Sequence, residues 1–197
     1  MIVKNTYWCF KKALTPQVCE TIKEFSLNKK KEFAVTGNIN KKSLSKEKKQ
    51  EILNTRNSNI VWLNEKWIYN ILHPYIVTAN EKAGWDFQWN ISENVQFTIY
   101  KKGQFYDWHT DSGPDHINRK ISMTVQLSKP EDYEGGDLEF DPRNSTDPSV
   151  STVFTSPDFK EQGTLVVFPS FIYHRVQPVT KGTRYSLVMW SCGEKFK

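Results

Sequence analysis

Three side chains supply the chemistry worth asking about: His109 and Asp111, two residues apart in Trp108-His109-Thr110-Asp111, and His174 far downstream. Two imidazoles and a carboxylate can hold a divalent metal on one triangular face and leave the opposite face open to reactants, a donor set suited to Fe(II) and dioxygen. At an extended strand end, residues i and i+2 point the same way, so His109 and Asp111 can reach one ion together. The third ligand must come from a neighbouring strand. His174 is the candidate, since it follows Phe168-Pro169-Ser170, where an apolar run ends and the chain turns. The His-x-Asp pair alone is weak in a chain with four histidines. A hydrogen-bonded histidine beside a turn is the ordinary alternative for His109, and a satisfied core histidine for His174. His73, before a helix proline, and His116, in a polar loop, are read as ordinary.

Arg184 stands ten residues beyond His174, after the turn Thr180-Lys181-Gly182-Thr183. A guanidinium there offers a planar fork to a carboxylate. No acidic residue neighbours it in sequence, so once buried it needs a partner, and a bound dicarboxylate would supply one. The strand it opens is expected to pair beside the strand of His174. Ser186, two residues on, faces the same side and adds a hydroxyl. Tyr100, nine residues before His109, could reach the same ligand with its phenol; plain aromatic packing is the alternative.

These residues need a β scaffold. Tyr7–Phe10 reads as a short strand. Thr15 then Pro16 starts a helix that buries Val18, Ile22 and Phe25. Asn28–Asn59, polar and lysine-rich, reads as a long loop that orders when substrate arrives. Ile60–Leu63 is the next strand. Asn64 caps a second helix with Trp67, Ile68, Ile71, Leu72, Tyr75, Ile76 and Ala79 toward its buried side, and Pro74 should kink or interrupt it. Strands are then expected at Phe87–Ile91, Val95–Lys101, Tyr106–His109, Ile121–Leu127, Asp137–Phe140, Ser151–Phe154, Gly163–Phe168, Arg175–Pro178 and Arg184–Ser191. Lys102-Gly103, Gly135-Gly136 and Lys181-Gly182 mark turns. Many short strands without intervening helices indicate a sandwich or jelly roll. The expected organisation is one domain over 1–197: an N-terminal strand, helices and basic loop over 1–84, and a β core over 85–192.

At 197 residues, with seven Trp, eight Tyr and twelve Phe, the chain can bury a substantial aromatic core. No apolar run approaches the roughly 18 residues that span a bilayer, and the first residues lack the apolar stretch of a signal peptide. Three scattered cysteines without a Cys-x-x-Cys pair suit reduced thiols and a cytoplasmic setting. Residues 1–60 carry thirteen Lys/Arg against five Asp/Glu. Such runs raise a nucleic-acid reading, but Lys41–Gln50 holds no aromatics for base stacking, and a solvated loop accounts for the charge.

As an ordered set, Gln96-Phe97-Thr98-Ile99-Tyr100, Trp108-His109-Thr110-Asp111, Gly135-Gly136-Asp137-Leu138, Phe168-Pro169-Ser170, His174-Arg175-Val176-Gln177-Pro178-Val179 and Gly182-Thr183-Arg184-Tyr185-Ser186-Leu187 resemble the 2-oxoglutarate- and Fe(II)-dependent dioxygenases. Within that superfamily they are most similar to the prolyl 4-hydroxylase-like branch and its PKHD-type hydroxylases, over roughly residues 56–192. The resemblance implies a double-stranded β-helix with supporting helices. It implies iron on His109, Asp111 and His174, the distal carboxylate of 2-oxoglutarate on Arg184, and cosubstrate contact by Tyr100. Gln126 stands where many animal prolyl hydroxylases carry a second tyrosine, so cosubstrate contact there departs from the pattern. The implied reaction is hydroxylation with dioxygen, with ascorbate as a reductant. Trp108, Tyr106 and the 112–119 loop are expected to line the mouth, and the 29–58 segment to close over substrate. A prolyl residue in a peptide or protein is the favoured substrate. A free amino acid or small metabolite, a nucleobase, and a non-catalytic metal-bearing sandwich are the rivals.

Overall fold

The computed structural model describes residues 3–34, 45–145 and 150–196. In chain order the elements are β1 (Trp8–Phe10), α1 (Pro16–Leu27), β2 (Glu32–Phe33), α2 (Lys46–Thr55), β3 (Arg56–Asn57), β4 (Asn59–Leu63), α3 (Lys66–Lys82), β5 (Ile91–Ser92), β6 (Val95–Lys101) and β7 (Phe105–His109). They continue with β8 (Arg119–Gln126), β9 (Tyr133–Gly135), β10 (Leu138–Asp141), β11 (Leu165–Pro169), β12 (Tyr173–Val176) and β13 (Val179–Cys192). Among the described residues the strands form two sheets. The larger runs β1-β11-β8-β13-β6-β4-β2, with β5 and β9 also pairing β13; the smaller runs β10-β12-β7-β3. This is the expected double-stranded β-helix with supporting helices.

The period-two alternation of strands sorts the large sheet into two faces. Val95, Phe97 and Ile99 of β6, Ile121, Met123 and Val125 of β8, and Leu187 and Met189 of β13 share one apolar core with Ile22 of α1 and Ile68, Leu72, Ile76 and Ala79 of α3. Each such side chain stabilises the fold by about 1.5–3 kcal/mol when fully withdrawn from water. The opposite parity carries Gln96, Tyr100, Ser122, Thr124, Arg184, Ser186 and Trp190. These polar and amphipathic groups face the smaller sheet, beside a second apolar cluster around Phe140, Phe168 and Val176.

The helices follow their sequence signals unevenly. Thr15 Oγ1 accepts from Val18 N at 3.3 Å and Pro16 fills the first turn. At α3 the cap position belongs to Glu65 rather than Asn64, with no side-chain cap bond. The Asn64 N–H instead donates to Glu65 Oε2 at 3.0 Å. α3 also runs uninterrupted through Pro74. Both Pro74 and Asn70, whose carbonyl loses its partner N–H, lie on the exposed side, where water can satisfy that carbonyl.

Three expected elements differ. Asn28–Asn59 is not a continuous loop, since it contains β2, α2 and β3; residues 35–44 of it lie outside the described residues. Of Phe87–Ile91 only Ile91 is in a strand, because the Asn80 side chain binds both the N–H and the carbonyl of Phe87 at 3.0 Å and holds that segment to the end of α3. Ser151–Phe154 contributes one bridge, Phe154 to Phe140. Part of the basic surplus is paired: Lys29 with Glu65, Lys11 with Asp158 and Lys12 with Glu161. Among the described residues no helix is long and apolar enough to cross a membrane.

Candidate metal centre and its cavity

In the smaller sheet β7 and β12 lie side by side, and His109 and His174 are cross-strand partners. Their ring centroids are 4.2 Å apart. Asp111 follows β7 by two residues, in a turn fixed by two N–H donors, those of Asp111 and Ser112, on Ser170 O at 2.9 Å each. The candidate donor atoms of His109, Asp111 and His174 all lie within 4.8 Å of one another. His109 Nε2 is 3.7 Å from Asp111 Oδ1, and His174 Nε2 is 3.6 Å from Asp111 Oδ2. Donors each about 2.1 Å from a shared ion are separated by at most about 4.2 Å, and both distances lie within that limit.

Backbone carbonyls set the tautomers. His109 Nδ1 donates to Asp107 O at 2.7 Å and His174 Nδ1 to Ile172 O at 2.9 Å. A carbonyl only accepts, so Nδ1 carries the proton in each ring and the lone pair is left on Nε2, toward Asp111. Burial, with His174 close by, holds the His109 imidazole well below its ordinary range, in the neutral form a metal requires. Burial alone would raise Asp111. The histidines, Arg119 and a hydrogen bond from Ser122 outweigh it and bring the carboxyl to about 2. Ser122 Oγ donates to Asp111 Oδ2 at 2.7 Å and lies 2.9 Å from Ser170 Oγ. Arg119 Nη1 donates to Asp111 O at 3.4 Å, while Arg119 is itself paired with Glu93 at 2.6 Å.

A cavity extends from the triad between the sheets, with Leu138, Phe168 and Val176 supplying apolar wall. Arg184 lines it, 3% exposed. It has no ion pair among the described residues; its one side-chain hydrogen bond runs from Nη1 to Ser186 Oγ at 3.4 Å. Tyr100 is its cross-strand partner, with the guanidinium carbon 5.6 Å from the phenol ring centre. The strand of Arg184 does not pair beside that of His174, as the sequence suggested. β13 belongs to the large sheet, because Gln177-Pro178 carries the chain across from β12 and proline has no N–H to extend that ladder. The guanidinium therefore approaches the triad from the facing sheet. Gly136, at φ +62°, makes room: a Cβ there would lie 3.1 Å from Arg184 Cδ and 2.9 Å from Val179.

Tyr106 and His109 line the same cavity although they are three positions apart on one strand. In the ladder, Tyr106 faces Val176 and His109 faces His174, so β7 takes three steps where β12 takes two. This bulge restores the phenol to the metal face, stacked on His109 with centroids 3.5 Å apart. Burial pushes Tyr106 up to about 12 and raises Tyr100, and the charge of Arg56 is foremost among the influences opposing both. Trp108 is not at the mouth. It has the other parity, stacking on Tyr173 at 5.7 Å with Arg175 4.7 Å from its ring centre, and lines neither the inner cavity nor the cleft outside it. Gln126 also lies outside both; its Nε2 donates to Ser128 O and Tyr133 Oη at 3.1 Å.

Sequence reasoning passed over Arg56, Arg119 and Trp190, which line an outer cleft continuous with the triad. Arg56 and Trp190 border the inner cavity as well. Arg56 gave no signal because its polar surroundings read as loop. Trp190 sits at the end of a long strand on the parity already marked by Arg184, whereas Arg119 is an odd three positions from Ser122, where the β8–β13 ladder shifts register, so alternation does not point to it.

Residues 95–192 match the model of the 2OG-Fe(II) oxygenase superfamily. A PKHD-type hydroxylase of Alteromonas mediterranea is 34% identical over 102 residues, covering 48% of this chain and 41% of that protein. A PKHD-type hydroxylase of a Synechococcus species is 32% identical over 102 residues, covering 49% and 42%. The chain thus spans about two fifths of these relatives' length. Among solved structures, a Pseudomonas putida prolyl-4-hydroxylase superposes with a TM-score of 0.65 at 18% identity, over 97% of this chain and 94% of that one. A viral collagen prolyl hydroxylase from Paramecium bursaria Chlorella virus-1, determined with 2OG, superposes at 0.65 with 17% identity and 98% coverage of both chains.

Proposed function

The chain belongs to the 2OG-Fe(II) oxygenase superfamily through residues 95–192, and from that premise we propose that it is an Fe(II)- and 2-oxoglutarate-dependent dioxygenase that hydroxylates a prolyl residue in a peptide or protein. The carrying observation is the buried Arg184, paired with no acid among the described residues, facing a two-histidine, one-carboxylate triad across the cavity. A metal kept for structure alone has no need of that cation, whereas a five-carbon diacid satisfies cation and metal together. The donor set and the orphaned guanidinium fit the two groups.

His109 and His174 would present neutral Nε2 atoms, and Asp111 its carboxylate, to the iron. Arg184 and Ser186 would hold the distal carboxylate of 2-oxoglutarate, with Tyr100 beside it. Fe(II), 2-oxoglutarate and dioxygen together supply the oxidising power that turns a substrate C–H into C–OH, with succinate and carbon dioxide as co-products. Tyr106 fixes the His109 ring by stacking, and Leu138, Phe168 and Val176 exclude water. The outer cleft, about 560 Å³ and bordered by Trp62, Pro114 and Trp190, has room for more than one residue, which favours a peptide over a lone amino acid. The relatives named for prolyl hydroxylation support the target residue.

Succinate release from 2-oxoglutarate with Fe(II) and ascorbate, together with a gain of about 16 Da on a proline-containing peptide, tests the reading. His109→Ala is expected to abolish both. Arg184→Met is expected to raise the 2-oxoglutarate concentration needed by at least about tenfold. Formaldehyde release, or binding of 2-oxoglutarate without turnover across a peptide panel, would replace hydroxylation with demethylation or a binding role.

A further inference from the structure

Once 2-oxoglutarate is placed on Arg184, one cation in this site is still without a counter-charge among the described residues. Arg56 is 5% exposed, and its described contacts are a hydrogen bond from Nε to Ser58 Oγ at 3.1 Å and the face of Tyr106, whose ring centre lies 4.4 Å from Cζ. No carboxylate pairs with it among the described residues. It borders both the inner cavity and the outer cleft, and so stands where the two meet at the triad. Trp190 borders the same two spaces, and its Nε1 is a buried donor with no partner among the described residues. A nearly buried guanidinium with no carboxylate beside it and an indole N–H with no acceptor among the described residues thus border the same two spaces. A charge withdrawn from water without a counter-charge is costly, so the arrangement calls for an anionic oxygen.

The charge count says where that oxygen comes from. Arg119 is neutralised by Glu93. On the reading proposed above, Arg184 takes the distal carboxylate of 2-oxoglutarate, while the divalent metal is balanced by Asp111 and the proximal carboxylate. Asp115, the remaining acid on the cleft wall, is exposed to water at the rim. Arg56 alone is left over. We infer that Arg56, with the Trp190 indole N–H, is a specificity-determining site for a carboxylate carried by the substrate close to the carbon that reacts. The carboxylate has two possible sources of the same chemistry: the α-carboxylate of the hydroxylated residue at a chain end, or an Asp or Glu side chain beside it. The inference rests on the oxygenase reading, because the two anionic ends of 2-oxoglutarate enter the count.

The test is binding to the chain loaded with Mn(II) and 2-oxoglutarate, followed by tryptophan fluorescence, since Trp62 and Trp190 line the cleft. Four probes separate the sources: N-acetyl-Gly-Pro with a free C-terminus, its C-terminal amide, an amidated peptide with Glu next to Pro, and free proline. At least one carboxylate-bearing probe is expected to bind about tenfold or more tighter than the neutral amide, and the tighter of the first and third names the source. In Arg56→Met this preference should fall to within about twofold while 2-oxoglutarate affinity stays within about threefold. Arg56→Lys should retain part of the preference. Equal binding of acid and amide by the unmodified chain, no binding of any carboxylate probe, or a preference that survives in Arg56→Met overturns the inference and leaves the oxygenase reading standing. Loss of 2-oxoglutarate affinity in Arg56→Met also overturns it, by making the arginine a cosubstrate ligand. Failure of the unmodified chain to bind 2-oxoglutarate removes the oxygenase reading and the charge count with it. Should Arg56→Met not fold, the acid–amide comparison on the unmodified chain and on Arg56→Lys decides the matter.

Discussion

A single hydroxyl governs how Asp111 meets the metal. Ser122 Oγ donates to Oδ2 at 2.7 Å and is itself held by Ser170, and this leaves Oδ1, on the His109 side, free of donors among the described residues. Groups that orient a ligand are worth about 10–100-fold in metal affinity. Ser122→Ala is therefore expected to weaken Mn(II) binding by that factor while the 2-oxoglutarate contacts of Arg184 stay in place. Calorimetric titration of the purified variant measures the effect, and an unchanged Mn(II) affinity would show that Asp111 is positioned by its backbone turn alone. At this scale the sequence was readable wherever chemistry and parity coincide. His109 and Asp111 share a spacing, and Arg184 lacks an acid nearby in sequence. Ser122 could not be read so, because a serine inside a strand has no ordinary reason to be noticed until the carboxylate it serves, eleven residues away in sequence, is placed beside it.

The strands are where reading succeeded in kind and failed in partnership. Alternation in Gln96-Phe97-Thr98-Ile99-Tyr100 and in Arg184-Tyr185-Ser186-Leu187-Val188-Met189-Trp190 assigns each side chain to the helix face or the cavity face, and the folded chain keeps that assignment. What alternation cannot give is which strand lies beside which, so β13 was matched to β12 rather than to β6 and β8. Nor can it register a bulge, which is why Tyr106 lies on the metal face while Trp108, two positions on, lies on the other. Helix α2 escaped for a different reason. Its sequence has few apolar residues to mark a buried stripe, Ile52 being the buried one among its described side chains, and a helix without such a stripe looks like a loop. One element can be tested directly. Gly182 lies in β13 at φ +72°, where a Cβ would fall 2.0 Å from Asp132 O. The bend lets β13 pair with β9 on one side and then carry Arg184 into the ladder with β6. Gly182→Ala should cost about 2–4 kcal/mol, since both the dihedral and the backbone contact oppose it. A urea titration reads that loss, and a change under about 0.5 kcal/mol would mean that the bend is not needed.

Across the whole molecule, the functional groups are split between the two sheets. The small sheet carries His109 and His174; the large one carries Tyr100, Ser122 and Arg184. Asp111 joins them, since it follows β7 and is held by Ser122 of β8. A metal alone engages the small sheet and this joint, whereas a diacid on both metal and Arg184 spans the space between the sheets. Binding to the folded state alone stabilises it by about 2.7 kcal/mol at a ligand concentration a hundredfold above Kd. In a chain of this size that corresponds to a rise in melting temperature of about 5–10 °C. Mn(II) alone should therefore raise the melting temperature, and 2-oxoglutarate added with Mn(II) should raise it further than 2-oxoglutarate does without metal. Arg184→Met should keep the Mn(II) increment and lose most of the second. His109→Ala should lose both, because without the metal the diacid has only one of its two anchors. Equal 2-oxoglutarate increments with and without Mn(II), persisting in Arg184→Met, would mean that the ligand sits elsewhere and that the two sheets are not bridged through this cavity.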